Sequence, residues 1–463
     1  RMIGSEHVSQ LFYEESTGGR PIGEEFDAAL RLAHAELGAD RVRAHAILHD
    51  ELGVYREEGG EPRYDFGGID RAYDRLLELG IRPVVELSFM PRNLAADPEA
   101  TIFEYRGIVS PPRDWERWGE LNRRLAEHLV ERYGIDEVAG WGFEIWNEAN
   151  LEVFWTGSRA EYFRLYDVAA RAIKTVDARL LVGGPSTAAA GWVADFLDYV
   201  TREGCPLDFL STHTYGNLPL DVGRALAARG LDDVEVWWTE WGATPAHFNP
   251  VSDSTWAATF VLHGMKSAQG RAHALAYWVV SDHFEELGRP PCLLHGGFGL
   301  LTVGNLRKPR WWALALAEAL GDELVELELG GDGAGSLVDG WAALRRDGGL
   351  DVLLWNGTLN QAQAEGDRLL DREVRLRVSG LAPREGRRVV IARIDEEHSN
   401  LVRRWPGETD WPSPGEWERL RSEDVLDEEA VPAQTENDGS VEVRLRLPMP
   451  GVARIRFDME ASG

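Results

Sequence analysis

The sequence predicts a (β/α)8 barrel followed by an all-β sandwich. Three observations carry this. Apolar strand-like runs alternate with amphipathic helical patterns from the start to about residue 320. The alternation counts to eight strand–helix units, the number and size of a closed parallel barrel. After about residue 322 the helices give way to short strands between Gly-rich turns such as Gly330-Gly331-Asp332-Gly333. The expected domains are residues 1–321, the barrel, and residues 322–463, the sandwich.

The elements follow in order. A first strand is read near residues 2–5. A helix at 24–37 precedes a strand at 41–48, and a helix at 69–79 precedes a strand at 82–90. Residues 115–133 form a long amphipathic helix, after which a fourth strand ends in Glu148. Helix 159–176, strand 180–184, helix 191–203, strand 207–215, a short helix 221–229 and strand 234–241 come next. Helix 254–268, strand 274–282 and helix 310–319 close the series. In the second domain, strands are expected at 323–329, 341–345, 350–355, 373–378, 388–394 and 441–447. One short helix is expected near 422–429, and 396–422 reads as a long surface loop.

Composition bounds the function. The 463 residues are 44% hydrophobic and 27% charged, the balance of a soluble globular protein. No run approaches the ~18 apolar residues of a membrane span, so no membrane partner is expected. A formal net charge of −29 argues against nucleic acid and anionic membranes, and fits an enzyme with a neutral substrate. Nothing in the sequence argues against a homo-oligomer. Cys205 and Cys292 are no disulfide framework. With a short polar N-terminus, they point to a cytoplasmic location, or to secretion if a leader has been trimmed. The 18 tryptophans are the unusual count.

Several of those tryptophans flank two acids. Glu148 ends strand four in Trp146-Asn147-Glu148, and Glu240 ends strand seven in Thr239-Glu240-Trp241. Both are expected on the C-terminal face, where barrel sites are built. A carboxyl pair among indole rings points to sugar chemistry, because glycosidic bonds are cut by two carboxyl groups and sugars stack on aromatic faces. Glu148 would be the protonated acid and Glu240 the ionised nucleophile. Asn147 would donate its amide to a sugar hydroxyl. Alternation places His213 and Tyr215 on one face, Tyr215 to hold Glu240 ionised and His213 to orient a carboxylate; ordinary core packing is the alternative.

Arg43, His45, His49 and Asp50 follow strand two, and an Arg at this depth is expected to pair with an acid such as Glu240. His45, His49, Asp50 and Glu51 could supply metal ligands, but they match no known metal spacing, so no metal and no cofactor are expected. Trp278 would floor the pocket, and Glu285 or Glu286 would accept from sugar hydroxyls.

The chain resembles glycoside hydrolase family 39, the family of β-xylosidases and α-L-iduronidases among the retaining barrel glycosidases. The likeness rests on Arg43-Ala44-His45, Val85 to Pro91, Trp146-Asn147-Glu148, Ser211 to Tyr215, Thr239-Glu240-Trp241, Tyr277-Trp278 with Phe284-Glu285-Glu286, and Gly296 to Leu301, in that order. It implies Glu148 as acid/base and Glu240 as nucleophile. It also implies sugar contacts from His45, Asn147, His213, Trp278 and Glu285 or Glu286, and a non-proline cis bond between Trp278 and Val279. Three positions depart from the pattern: Ala149 where Pro is usual, Gly242 where Asn often follows the nucleophile strand, and Glu51 in an expected Asp pair. These bear on sugar specificity. The expected activity is a retaining exo-glycosidase, a β-D-xylosidase on xylo-oligosaccharides. An α-L-arabinosidase or α-L-iduronidase is the alternative on this scaffold, and a non-catalytic carbohydrate-binding barrel is the alternative from another class.

Overall fold

The computed structural model describes residues 1–284, 286–380, 388–407, 409–436 and 438–458. They form two compact units, residues 1–242 with 267–290 and residues 243–266 with 291–463.

Eight parallel strands close into a barrel in the first unit: β1 (Met2–Ser5), β2 (Arg41–Ala44), β3 (Arg82–Glu86), β4 (Gly142–Glu144), β5 (Leu181–Thr187), β6 (Phe209–Tyr215), β7 (Glu235–Gly242) and β8 (Ala274–Tyr277). Each strand pairs with its neighbours in sequence, and β1 pairs with β8. Helices α1 (Ile22–Leu37), α2 (Gly67–Glu78), α3 (Trp115–Tyr133), α4 (Arg159–Lys174), α5 (Val193–Glu203) and α6 (Gly223–Ala227) separate the strands. Local chemistry starts them: Asp114 accepts from the backbone of Glu116 and Arg117 at the head of α3, and Ser158 with Glu161 forms a capping box on α4. Strands β2 and β3 end earlier than their apolar runs, which continue into buried loops.

The lower barrel interior is closed by aromatic rings. Phe209 stacks on Trp237 at 3.9 Å between centroids, among Met2, Val84, Ala274 and Ala276. Glycines make the room. A Cβ at Gly183 would lie 2.2 Å from the Phe209 ring, and one at Gly142 would lie 2.5 Å from Trp237. At the opposite, C-terminal ends the ladders are irregular. Register shifts fall between Pro185 and Thr187, between Thr212 and His213, and between Trp238 and Trp241. Such shifts re-aim side chains, and these three lie beside Ser186, His213 and Glu240.

The second unit holds helices α7 (Thr255–Ala268, all but its last two residues) and α8 (Pro309–Glu318), and an antiparallel β region. Its strands are β9 (Glu323–Val325), β10 (Val338–Leu344), β11 (Leu350–Asn356), β12 (Arg372–Val378), β13 (Val389–Ile394), β14 (Asp427–Val431), β15 (Gln434–Thr435), β16 (Val441–Leu447) and β17 (Gly451–Phe457). One sheet runs β9-β10-β11-β17-β13-β14 and the other β12-β16-β15. Val352, Ile391, Val443 and Ile455 are part of one buried cluster drawn from both sheets.

Three expectations here are corrected. Residues 396–422 are no simple loop: Asn400 caps a helical turn at Leu401–Arg404, and a Ser413–Glu416 capping box starts a helix at Pro414–Glu423. Leu401, Trp405, Trp417 and Leu420 then pack with Leu293 and Leu306. The helix expected at 422–429 lies earlier, and Asp427–Val431 is an edge strand whose acidic composition hid it. Strand β17 is a further difference: Pro448-Met449-Pro450 reads as the end of the sheet, yet the strand after it pairs on both sides. No helix among the described residues is long and apolar enough to cross a membrane.

The aromatic floor yields a prediction. Trp237→Ala should cost ~3–5 kcal/mol of stability, measured by denaturant unfolding.

Candidate active site

The barrel strands deliver a buried polar cluster centred on Arg43. Its guanidinium, fully buried on β2, donates from Nε to Glu144 Oε2 at 2.6 Å and from Nη1 to Glu240 Oε1 at 2.7 Å. Nη2 donates to Asn147 Oδ1 at 2.9 Å and Ser186 Oγ at 3.1 Å, and lies 3.2 Å from Glu86 Oε2. Burial alone would lower the Arg43 pKa. Glu144, Glu86 and Glu240 more than offset that and hold the group charged.

Glu240, on β7, also accepts from the Tyr215 hydroxyl at 2.5 Å. Glu148 follows β4 in a left-handed backbone conformation, φ 44°, as does Trp146 at φ 75°. Its carboxyl lies 2.9 Å from His213 Nδ1. Burial pushes the Glu148 pKa up to about 7, against the pull of His45 and Arg43 and with a push from Glu86. Burial lowers His213 to about 4, so it is a neutral imidazole near pH 7, with Nε2 beside the hydroxyls of Ser186 and Thr239. One ligating atom each of Glu148, His213 and Glu240 lies within 4.8 Å of the others.

Glu86 ties His45 into the cluster. Burial raises its pKa, but His45 and Arg43 outweigh that and keep it low, so His45 Nδ1 donates to Glu86 at 2.6 Å. The other nitrogen, Nε2, then faces Glu240 Oε1 at 3.7 Å and Glu286 Oε1 at 3.8 Å. Glu286 also accepts from the Tyr105 hydroxyl at 3.4 Å. Burial, joined by Glu6, Glu240 and Glu86, pushes the Glu286 pKa well up. Trp278, 3% exposed, lies 4.7 Å from the His45 ring, and its bond to Val279 is cis, as is Ser88–Phe89. Gly4 on β1 leaves space for the indole: a Cβ there would lie 2.5 Å from Trp278 Cε3. Gly242 does the same for Tyr215, whose ring a Cβ would meet at 3.0 Å.

The structure thus brings together Arg43, His45, Asn147, Glu148, His213, Tyr215, Glu240, Trp278 and Glu286. Two expected residues stand apart. His49 caps the short turn after β2 and packs edge-on against Tyr105, 5.6 Å away, and Asp50 is exposed and accepts from the Arg92 backbone. Glu285 lies outside the described residues. His45, His49, Asp50 and Glu51 form no metal-competent cluster among the described residues. Sequence reasoning gave no role to Glu86, Glu144 and Ser186. A lone acid ending a buried apolar strand, as in Val84-Val85-Glu86 and Gly142-Phe143-Glu144, was the available signal, since such an acid needs a buried cation.

The model of glycosyl hydrolases family 39 matches residues 15–442. The chain belongs to glycosyl hydrolase family 39. It is 34% identical to a β-xylosidase from Caldicellulosiruptor saccharolyticus over 404 residues, 82% of this chain and 80% of that one. It is also 34% identical to a β-xylosidase from Geobacillus stearothermophilus over 421 residues, 84% of this chain and 80% of that one. Among solved structures, this family 39 chain superimposes on a monomeric β-xylosidase from Caulobacter crescentus with a TM-score of 0.83 at 30% identity, covering 99% and 96% of the two chains. The family 39 enzyme of Xanthomonas axonopodis gives 0.84 at 29% identity, covering 99% and 93%.

Two predictions follow from the electrostatics. Arg43→Met leaves Glu86 and Glu144 buried without their cation and should cost ~3–5 kcal/mol, measured by urea unfolding. Glu148 holds its proton to about 7 in the fold against an ordinary value of 4.5. The protonated form is favoured by folding, so the stability it confers is full below about 4.5 and is lost as pH rises through about 7. Relative to Glu148→Gln, the wild-type protein should therefore lose stability across that interval; parallel unfolding curves for the two proteins over the range would refute this.

Proposed function

We propose that the protein is a retaining exo-glycosidase, a β-D-xylosidase acting on short xylo-oligosaccharides, with Glu148 as acid/base and Glu240 as nucleophile. The observation that carries this is the divergent treatment of two neighbouring carboxyl groups. Glu148 is buried and pushed to about 7, while Glu240 accepts from a guanidinium and a phenol. One group is kept as a proton donor, and the other meets two hydrogen-bond donors, the partners a nucleophilic carboxylate needs. One carboxyl oxygen of each lies within 4.8 Å of the other, in keeping with the ~5–5.5 Å carboxyl separation of a double displacement rather than the ~6.5–9.5 Å of an inverting pair.

In the first step Glu240 attacks the anomeric carbon while Glu148 gives its proton to the leaving oxygen. In the second, Glu148 takes a proton from water, which cleaves the glycosyl ester. Asn147 is placed to serve the sugar. Its Oδ1 is held by Arg43, and its Nδ2 has no hydrogen-bond partner among the described residues, leaving a donor for the 2-hydroxyl. His45 Nε2, Glu286 and the Trp278 indole complete the contacts. Glu148 pairs with His213, Glu240 with Arg43 and Tyr215, and His213 Nε2 with the Ser186 and Thr239 hydroxyls; no metal enters the proposal.

The xylose reading rests on the β-xylosidase relatives. An iduronide carboxylate would need a free cation, and Arg43 is already shared by Glu86, Glu144 and Glu240. That disfavours the uronide alternative. Residues 1–321 would carry catalysis, with 322–463 an accessory domain. A cytoplasmic location is the reading that a chain with only two cysteines supports.

Glu240→Ala should abolish turnover, and azide should restore glycoside cleavage with an inverted product. Glu148→Ala should lose far more rate on xylobiose than on aryl xylosides with good leaving groups. Release of the wrong anomer as first product by proton NMR, or preference for an iduronide or arabinoside in a release panel, would overturn the reading.

A further inference from the structure

The acid's backbone is held by the irregular end of β5, and a side chain two residues beyond the acid fastens the turn that follows it. The Glu148 N–H donates to the Ser186 carbonyl at 2.8 Å. Ser186 is the residue passed over in the β5–β6 register, has φ 52°, and is fully buried with its hydroxyl between Arg43 and His213. The next residues are just as unusual: Ala189, Ala190 and Trp192 have φ 53°, 55° and 59°. Left-handed non-glycine residues persist only where their surroundings enforce them.

Asn150 grips this segment at Ala188. Its Oδ1 accepts from Ala188 N at 2.9 Å, and its Nδ2 donates to Ala188 O at 3.0 Å. One carboxamide therefore satisfies both backbone groups of a single loop residue, as a strand partner would. Thr187 supports the arrangement, donating to Gly191 O and accepting at its carbonyl from Thr212 Oγ1.

We propose that Asn150 is a positioning residue for Glu148, a clasp that holds the turn after β5 at Ala188 so that the Ser186 carbonyl at the strand's end fixes the acid's backbone. The proposal rests on Glu148 being the acid/base. Asn150 reaches neither the reacting atoms nor Arg43. It acts through Ala188 and Ser186, and a shift of the acid by a fraction of an ångström weakens proton donation while leaving sugar binding in place.

The test compares xylobiose, whose departure needs a proton, with dinitrophenyl β-xyloside, whose departure does not. Asn150→Ala should lower kcat on xylobiose by ~10–100-fold with KM within about twofold, and change kcat/KM on the activated xyloside by less than about threefold. Gly191→Ala attacks the clasp from the other side without removing a polar group. Its backbone is unstrained, and the added Cβ would lie 2.6 Å from Asn150 Nδ2. It should show the same substrate split, and it carries the test if Asn150→Ala folds poorly. Equal losses on both substrates, or none on either, would overturn the proposal. Glu148→Gln runs alongside. If it shows no leaving-group dependence, the acid/base assignment falls, and crystal structures of Asn150→Ala decide the clasp alone: a Ser186 carbonyl parted from the Glu148 amide supports it, and an unmoved pair refutes it.

Discussion

The Arg43 guanidinium is the constraint on which the site depends. It is a charge with no access to water, and it exists only because Glu144, Glu86 and Glu240 surround it. The dependence runs both ways. Carboxylates on β3, β4 and β7 share one cation on β2, so the upper barrel is closed by ion pairs as much as by ladder hydrogen bonds. Each acid is also oriented by the fork of fixed N–H directions that it meets. Asn147 and Ser186 take the remaining directions. A planar group with five donors thereby sets five side chains at once.

The asymmetry between Glu148 and Glu240 grows out of this hub. Glu240 touches Arg43, whereas Glu148 feels it only at a distance and meets a neutral imidazole instead. Two like residues in one site thus meet different partners, and burial without a touching cation raises the Glu148 pKa. The backbone contributes as well. Left-handed conformations at Trp146, Glu148 and Ser186, and ladder shifts beside Ser186, His213 and Glu240, place the reactive groups where regular strands would not aim them.

The legibility of the sequence follows the same division. All eight barrel strands could be read, because each is a short apolar run next to a helix with strong periodicity. Glu148 and Glu240 stood out because the tryptophans beside them mark strand ends. Glu144 and Glu86 did not, since a residue's partner is set by closure of the barrel, which local pattern does not encode. His49 meets the site only through Tyr105, and Asp50 is engaged by the Arg92 backbone; neither contact is encoded in the local pattern. In the sandwich, β14 escaped notice because an edge strand can be acidic and exposed, and β17 because its prolines precede it.

The lower barrel has a consequence of another kind. Phe209 and Trp237 occupy volume vacated by Gly183 and Gly142, so these four positions form a single steric unit drawn from four strands. A side chain cannot be added at either glycine unless a ring shrinks. Substitutions here are open in pairs and closed singly. Natural variation in this layer should therefore be concerted, with bulk moving between strands while the total is conserved, whatever happens to the sugar site above it.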